Sequence, residues 1–266
     1  MAAAEQTGGI ISAVILLLLA GGFFGNGWYR LHQVFKGGGL SAILRDNVDP
    51  TKLNGEGDGR VNLLLLGKGG PGHEGPDLTD TMLVASIDPI NKTAALLSIP
   101  RDLWVSPEGG GSMKINSVYA LAKMKVLNGR KINNQADVAE KAGIDAVEKE
   151  ASSDMGIPIH YHVMVDFSGF EQAVNTVGGV DINVKPENTV TEYLWDESRG
   201  KNYKLDVKAG QNHFDGQRAL FYSRSRHTSP RGDFDRTERQ RLIIQALKDK
   251  VLSAGTYANP AKVSSL

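Results

Sequence analysis

The stretch VNLLLLG, residues 61–67, is a short and continuous apolar run. A run of this kind, without alternating polar residues, is typical of a strand that is buried on both faces. The segments at 82–87 and 93–99 have the composition of two further strands. The turn residues DPIN at 88–91 lie between them and favour a hairpin. The sequence therefore predicts a sheet that begins at residue 61.

Helical segments alternate with strands along the rest of the chain. The sequence predicts helices at 114–123, 135–153, 168–176 and 236–252, and strands at 161–167 and 180–184. Residues 187–201 are polar and predict a surface excursion. Because strands and helices are mixed throughout, we expect an α/β fold, a three-layer α/β/α domain with a central mixed sheet.

An uncharged segment, GGIISAVILLLLAGGFF, occupies residues 8–24. With the residues up to 29 it is about twenty residues long, near the length that crosses ~30 Å of hydrocarbon. Trp28 and Tyr29 suit the membrane interface. We expect one N-terminal transmembrane helix, with a cleaved signal peptide and a buried core helix as the alternatives.

These features divide the chain into three parts. Residues 1–30 are the expected transmembrane anchor with its flank, 31–59 a linker, and 60–266 the folded domain. The helix-like end at Leu266 is compatible with a longer native chain. Three basic residues follow the span and none precedes it: Arg30, Lys36 and Arg45. By the positive-inside rule these charges weakly favour a cytoplasmic body.

The composition excludes several classes of function. A hydrophobic share of 41% and a charged share of 23% are those of a globular protein. The 30 Lys and Arg residues balance 30 Asp and Glu residues, which argues against general nucleic-acid binding. The chain has no cysteine, so disulfides, thiolate zinc sites and cysteine nucleophiles are excluded.

Seven of the thirteen arginines fall within residues 218–241, whose centre reads YSRSRHTSPRGDFDRTERQ. Arginine presents a planar fork of donors that suits phosphate and carboxylate groups. Such a concentration in a chain without net charge predicts a site for a polyanion, and a pyrophosphate is the first candidate. Arg224 and Arg226 are two apart, so on an extended backbone they would point to the same side.

The last predicted helix would place more of these arginines at its N-terminal end. Asp235 and Glu238 have the spacing of a capping box. Arg236, Arg239 and Gln240 would then share one helical face near the end that favours anions. The alternative is a solvated, salt-bridged face. It would be neutralised in part by three acidic residues: Asp233, Asp235 and Glu238.

Two upstream segments carry further candidates. Asp80, in the segment TDT, would lie at the edge of a strand, where a carboxylate could hold Mg²⁺ or cap a turn. Arg101, in SIPRDLWV, would be presented from a loop after a strand, or would form an ion network with Asp102. The glycine-rich segment 67–76 lacks the residue order of a nucleotide-binding loop. Possible metal-side groups in and just after it are His73, Glu74 and Asp77.

The order of these segments resembles the LytR-CpsA-Psr family over residues 61–250. The segments that carry the resemblance are LTDTMLVASIDP, LLSIPRDLWV, KINSVYA, VMVDFSGFEQAVNTVGGVDINV and FYSRSRHTSPRGDFDRTERQRLI. The resemblance implies an α/β catalytic domain at 60–266. It also implies a single-pass cell-membrane protein whose catalytic domain is extracytoplasmic. This is opposite to the orientation that the three basic residues after the span weakly favour.

The implied activity is that of a phosphotransferase of cell-wall assembly. Such an enzyme moves a glycopolymer from a polyprenyl-pyrophosphate carrier onto a hydroxyl of peptidoglycan at the membrane. A polyprenyl-pyrophosphate hydrolase and a non-catalytic regulator that binds the lipid pyrophosphate are the alternatives. By motif match, the pyrophosphate-binding residues are Arg101, Arg224, Arg226, Arg236 and Gln240.

The resemblance also implies Mg²⁺, with Asp80 as a ligand. Family members usually carry an aspartate just after the first strand, in the context LG-x-D, whereas this chain has Lys68 and glycines there. We expect Asp77 or Glu74 to supply the second carboxylate. We also expect Asp233, which lies among the arginines, to accept the proton of the attacking hydroxyl. The usual glycine of the family's DFGR motif is replaced by Asp235.

Overall fold

The computed structural model describes residues 60–88, 93–108, 111–226 and 231–253. The described residues fall into two compact units. The N-terminal unit comprises 60–88 and 95–166, and the C-terminal unit comprises 93–94 and 167–253. The span predicted at 8–24 lies outside the described residues. Within the described part of the chain, no helix combines the length and the apolar character that crossing a membrane requires.

A mixed sheet of four strands forms the centre of the N-terminal unit. The strands of this unit, in chain order, are β1 (Val61–Lys68), β2 (Thr79–Asp88), β3 (Thr93–Ser98, in this unit from residue 95), β4 (Trp104–Val105), β5 (Met113–Lys114) and β6 (Tyr161–Asp166). The sheet has the order β3-β2-β1-β6, and β4 pairs with β5. Strand β1 runs antiparallel to β2 and parallel to β6. The apolar run at 61–67 is buried over its first six residues, as the sequence predicts.

Two helices follow in the same unit, α1 (Val118–Leu127) and α2 (Gln135–Met155). Helix α1 begins four residues later than predicted, because a 3₁₀ turn at Ile115–Ser117 precedes it. Helix α2 confirms the prediction and ends at Gly156, which has a positive φ of 65°. Glycine adopts that conformation without a steric penalty, so it terminates the helix.

One face of the sheet packs on these helices. Leu64 and Val84 are buried against Tyr119 of α1 and Val147 of α2. Gly143 makes this packing possible, since a Cβ there would lie 2.6 Å from Cδ2 of Tyr119. The Tyr119 ring therefore lies directly against the backbone of α2, and its hydroxyl group is placed among the charged residues described below.

The C-terminal unit combines three helices with two strand pairs. Its elements are α3 (Phe167–Thr176), β7 (Val180–Val184), β8 (Val190–Asp196), β9 (Lys201–Val207), β10 (Gly210–Phe214), α4 (Gly216–Arg224) and α5 (Asp233–Ser253). Strand β7 pairs antiparallel with β10, and β8 pairs antiparallel with β9. Phe214, Tyr222 and Ile243 are buried in one core cluster that joins the strands to α4 and α5.

The prediction of a surface excursion at 187–201 is wrong, because β8 lies within it. Val190, Glu192 and Asp196 are buried on one side of this strand, whereas Tyr193 and Trp195 are exposed on the other. A strand with one buried face alternates in this way. Two of the inward residues are acidic, which is why the segment reads as polar. The mixed-sheet α/β fold is otherwise confirmed, and the three-layer arrangement stays a prediction.

Candidate functional site: an arginine group and an aspartate–arginine pair

Helix α4 determines where Arg224 lies. The helix begins after Asp215, whose side chain accepts a hydrogen bond from the backbone N–H of Arg218, and it ends at Arg224 itself. The expectation that Arg224 and Arg226 share one side of an extended segment is therefore wrong. The capping aspartate and the buried residues that follow it favour a helix at this place. Arg224 consequently extends from a helix C-terminus, an end that favours cations.

Aromatic rings hold the side chain of Arg224. Its guanidinium carbon is 4.3 Å from the centroid of the Phe167 ring and 5.6 Å from that of Phe221. One guanidinium nitrogen also lies 3.6 Å from a carboxylate oxygen of Glu197. Stacking on a ring fixes the plane of the fork while its edge can still donate hydrogen bonds. The partly exposed guanidinium is thus oriented before any ligand binds.

Asp233 joins two further arginines of the predicted cluster. Its Oδ1 lies 3.0 Å from a guanidinium nitrogen of Arg236 and 3.7 Å from one of Arg226. Arg236 is buried, whereas Arg226 and Asp233 are about one-third exposed. Asp233 therefore orients arginines in this structure, and its predicted action as a base stays a prediction. We call Arg224, Arg226, Asp233 and Arg236 the arginine group.

Helix α5 begins at Asp233, three residues earlier than predicted. The predicted capping box is wrong, since Asp235 is buried and accepts hydrogen bonds from the backbone N–H and the Nε of Arg231, at 3.0 and 2.7 Å. Glu238 accepts from Asn188 and from Arg231. Asp235, which replaces the usual glycine, therefore ties Arg231, two residues before the helix, to the first turn of the helix.

Arg239 and Gln240 connect α5 to the end of α4. Arg239 is only 1% exposed, and its guanidinium donates to the backbone oxygen of Ser225 at 2.5 Å. Gln240 donates to the backbone oxygen of Ser223 at 3.4 Å. Burial lowers the pKa of Arg239, and nearby charges, Glu192 among them, oppose this shift. These contacts give both side chains a structural role, and their predicted contact with substrate stays a prediction.

We expect Arg239→Met to destabilise the protein by about 2 kcal/mol, because the buried Ser225 carbonyl loses its donor and Glu192 loses a nearby positive charge. Urea unfolding measures the loss. The matched control is Arg241→Met, which changes an exposed arginine of the same helix and should stay within ~0.5 kcal/mol of wild type. Equal stability of the two variants would contradict the structural role of Arg239.

A second group of predicted residues lies in the N-terminal unit. Asp80 is the second residue of β2, and Arg101 follows β3 in a loop, as predicted. The Oδ1 of Asp80 accepts from Arg101 and from the amide of Asn116, both at 2.9 Å. The backbone N–H of the buried Asn116 donates to the carbonyl of Arg101 at 3.3 Å. Asp80 and Asn116 together therefore fix the position of the Arg101 guanidinium.

The ion network of Arg101 with Asp102, which the sequence offers as the alternative, is also present. Its Nε lies 3.4 Å from Asp102, which in turn accepts a hydrogen bond from Lys114 at 2.6 Å. The hydrogen bond from Lys114 lowers the pKa of Asp102 against the opposing effect of burial, and the charge of Arg101 lowers it further. Arg101 is thus held by two carboxylates, of which Asp80 makes the shorter contact.

Asp77 belongs to a network of charges at the end of β1. Its Oδ1 accepts from Lys68 at 3.1 Å and from Lys123 at 3.0 Å. Lys123 also donates to Glu140 at 2.8 Å, and the hydroxyl of Tyr119 donates to the same carboxylate. Burial alone would raise the pKa of Asp77 and of Glu140, but the hydrogen bonds from the lysines outweigh it and lower both pKa values.

These donors do not fit a resident Mg²⁺ held by Asp80 and Asp77. Mg²⁺ requires oxygen ligands, whereas each of the two carboxylates accepts from cationic or amide donors. Lys68, which stands in the segment where the family carries a carboxylate, adds a positive charge instead. In the described part of the chain, no cluster of three or more histidine and acidic side chains is arranged to hold a metal. The Mg²⁺ prediction therefore gains no support from these side chains.

We expect Asp77→Asn to lower the free energy of unfolding by about 1 kcal/mol near pH 7, because it removes one anion between two lysines. The pKa of Asp77 is lower in the folded chain, so its contribution is present above the unfolded pKa and is lost as pH falls through the folded one. The free energies of unfolding of the wild type and of Asp77→Asn, measured between pH 7 and pH 3, should therefore converge as the pH falls. A difference that stayed constant would contradict this account.

The arginine group is suited to an anion with several phosphate oxygens. The sequence matches the LytR_cpsA_psr family over residues 40–264. The chain belongs to this family, as its motifs predict.

Relatives of known name support this assignment. The chain is 35% identical over 189 residues to the polyisoprenyl-teichoic acid–peptidoglycan teichoic acid transferase TagV of Bacillus subtilis, covering 70% of this chain and 42% of TagV. It is 35% identical over 201 residues to the cell wall biosynthesis protein LcpA of Corynebacterium glutamicum, covering 73% of this chain and 37% of LcpA. It therefore spans about two fifths of the length of each.

Solved structures show the same fold. The crystal structure of B. subtilis TagV superposes with a TM-score of 0.53 at 32% identity, covering 72% of this chain and 64% of that one. A structure of TagT bound to LIIa-WTA superposes with a TM-score of 0.55 at 27% identity, covering 79% of this chain and 68% of that one.

Sequence reasoning missed the partners that position the arginines. Phe167 and Glu197 contact Arg224 from distant parts of the chain, and Lys123 and Glu140 complete the network around Asp77. No local pattern indicates such pairs, since each residue alone reads as an ordinary core or surface position. The capping aspartate before α4, Asp215, is the one signal that could have corrected the extended reading of the arginine segment.

Proposed function

We propose that this protein transfers a glycopolymer from a polyprenyl-pyrophosphate carrier onto a hydroxyl of peptidoglycan. The arginine group carries this proposal: Arg224 is stacked on Phe167, and Asp233 lies between Arg226 and Arg236. Guanidinium forks held in fixed planes suit the oxygens of a pyrophosphate. The family membership and the names of TagV and of the TagT complex support the same substrate class.

The proposed reaction is a displacement at phosphorus. The oxygen of the acceptor hydroxyl forms a bond to the phosphorus nearest the sugar, the bond from that phosphorus to the bridging oxygen breaks, and polyprenyl phosphate leaves with the electron pair. The arginines neutralise the charge on the phosphoryl oxygens, which is the main catalytic contribution in reactions of this type. Asp233 accepts the proton of the hydroxyl in this proposal.

Asp80 and Arg101 enter the proposal through their motifs and through their mutual contact. Because Asp80 and Asn116 fix the guanidinium of Arg101, this arginine is a second preorganised cation for the same substrate class. A double-mutant cycle between Arg224 and Arg101 tests whether the two act together, since residues that act as a unit show strongly non-additive losses of rate.

The proposal includes a place of action. The glycan acceptor is outside the cytoplasmic membrane, so the catalytic domain at 60–266 would be extracytoplasmic and would be anchored by the segment at 8–24. The partners are a lipid-linked glycan, peptidoglycan and the membrane, and no nucleic acid takes part.

The test follows a labelled lipid-linked oligosaccharide incubated with the full chain and a peptidoglycan fragment. The proposal predicts labelled sugar joined to the fragment through a phosphodiester, with release of polyprenyl phosphate. Polyprenyl phosphate and labelled oligosaccharide phosphate formed without any acceptor would instead indicate a hydrolase. Binding of the lipid without either product would indicate a non-catalytic regulator.

A further inference from the structure

The turn between α1 and α2 exposes a set of large apolar side chains. Leu121, Met124, Leu127 and Ile132 are 47%, 56%, 44% and 48% exposed. The first three lie on α1 and the last lies in the connection to α2. Single exposed apolar residues are ordinary, but here four lie within twelve consecutive positions. We call residues 121–132 the hairpin tip.

The exposed charges of the hairpin tip have a single sign. Lys125, Arg130 and Lys131 are exposed, and the sequence contains no acidic residue from 109 to 136. The fourth cation, Lys123, turns towards Asp77 and Glu140. In a chain of zero formal net charge, this is a local excess of three positive charges among exposed aliphatic side chains.

Hydrogen bonds close the end of α1 within the hairpin tip. The side-chain amide of Gln135 donates to the carbonyls of Val126 and Leu127, at 2.9 and 3.1 Å. The backbone N–H of Asn128 donates to the carbonyl of Met124. The carbonyls of Met124, Val126 and Leu127 at the end of α1 are thereby satisfied, which orders the backbone from which the apolar side chains of α1 extend.

We propose that the hairpin tip binds an anionic lipid surface. Basic residues interleaved with exposed aliphatic ones fit such a surface, because the cations meet the headgroups while the aliphatic side chains enter the acyl boundary. A soluble polyanionic glycan would use the cations but would leave the four apolar side chains in water. The hairpin tip contains none of the residues of the arginine group, and its binding to lipid needs no catalysis.

The absence of cysteine in this chain allows a direct test. The full chain carrying Ile132→Cys is labelled with an environment-sensitive fluorophore and reconstituted into vesicles of phosphatidylcholine, with or without phosphatidylglycerol. The matched control is Lys149→Cys, which labels an exposed position of α2, about 21 Å along that helix from its start. We expect a blue shift and quenching by lipid-borne quenchers only for the Ile132 probe and only in the anionic vesicles.

Replacing Arg130 and Lys131 with glutamine in the labelled chain should lower the equilibrium constant for insertion of the tip roughly 30-fold, and high salt should act in the same direction. An Ile132 probe with equal emission in anionic vesicles, neutral vesicles and detergent would overturn the proposal. So would an equal shift of the Lys149 probe. The rate of glycopolymer transfer is measured separately, in detergent. If the proposed function is right, the glutamine variant should transfer at the wild-type rate there.

Discussion

Arg224→Ala is expected to lower the rate of glycopolymer transfer on the order of 10³-fold, the effect of removing an arginine that stabilises charge on a transferring phosphoryl group. The guanidinium is already oriented by Phe167 and Phe221, so the variant loses a preorganised donor. Arg224→Lys should recover only part of the rate, because an ammonium cannot donate in the same bidentate geometry. Single-turnover transfer from a labelled lipid-linked oligosaccharide measures both.

The matched control for this prediction is Arg218→Ala on the same helix. Arg218 donates to the carbonyls of His213 and Asp206 and to the side chain of Asn212, so its contacts serve the structure. We expect this variant to transfer at the wild-type rate with some loss of stability. A full rate for Arg224→Ala, or an equal loss for Arg218→Ala, would contradict the assignment of the arginine group.

Asp80→Ala is expected to lower the rate of transfer on the order of 10²-fold. The substitution removes the acceptor that Arg101 and Asn116 share, so the guanidinium of Arg101 is no longer held in one position. Transfer is measured over a range of Mg²⁺ concentrations. If Asp80 acts by positioning Arg101, the loss is the same at every concentration.

The other carboxylate beside Arg101 provides the control. Asp102→Asn changes an exposed side chain 3.4 Å from Arg101, and surface changes of this kind alter free energies by no more than about 0.5 kcal/mol. We therefore expect nearly wild-type transfer. Partial rescue of Asp80→Ala by added Mg²⁺ would instead assign Asp80 to metal binding, and wild-type activity of Asp80→Ala would remove it from the site.

The strands and helices that carry a clear hydrophobic pattern could be predicted from the sequence. The run at 61–67 and helix α2 show this, because burial on two faces of a strand or along one stripe of a helix leaves a periodic signal. Strand β8 could not be predicted in this way. Its inward residues Glu192 and Asp196 are acidic and find their partners only in the folded chain: Ser225 for Glu192, and Ser198, Arg199 and Gln217 for Asp196.

Those residues of the candidate site that stand out within a short stretch of sequence could be predicted. Arginine density and motif order pointed to Arg101, Arg224, Arg226 and Arg236, and the structure places each of them against a carboxylate. What the sequence could not separate is a binding arginine from a structural one. Arg239 lies on the same helix as Arg236 and both are buried, so only its hydrogen bond to the backbone oxygen of Ser225 marks Arg239 as structural.

In the proposed function, the arginine group binds the pyrophosphate of a lipid-linked glycan during its transfer to peptidoglycan. The most direct test is single-turnover formation of labelled peptidoglycan by the wild-type chain, Arg224→Ala and Arg218→Ala, with the fold of each variant checked by urea unfolding. We expect product from the wild type and from Arg218→Ala, and a rate on the order of 10³-fold lower from a folded Arg224→Ala. Product at the wild-type rate from Arg224→Ala would contradict the proposed function.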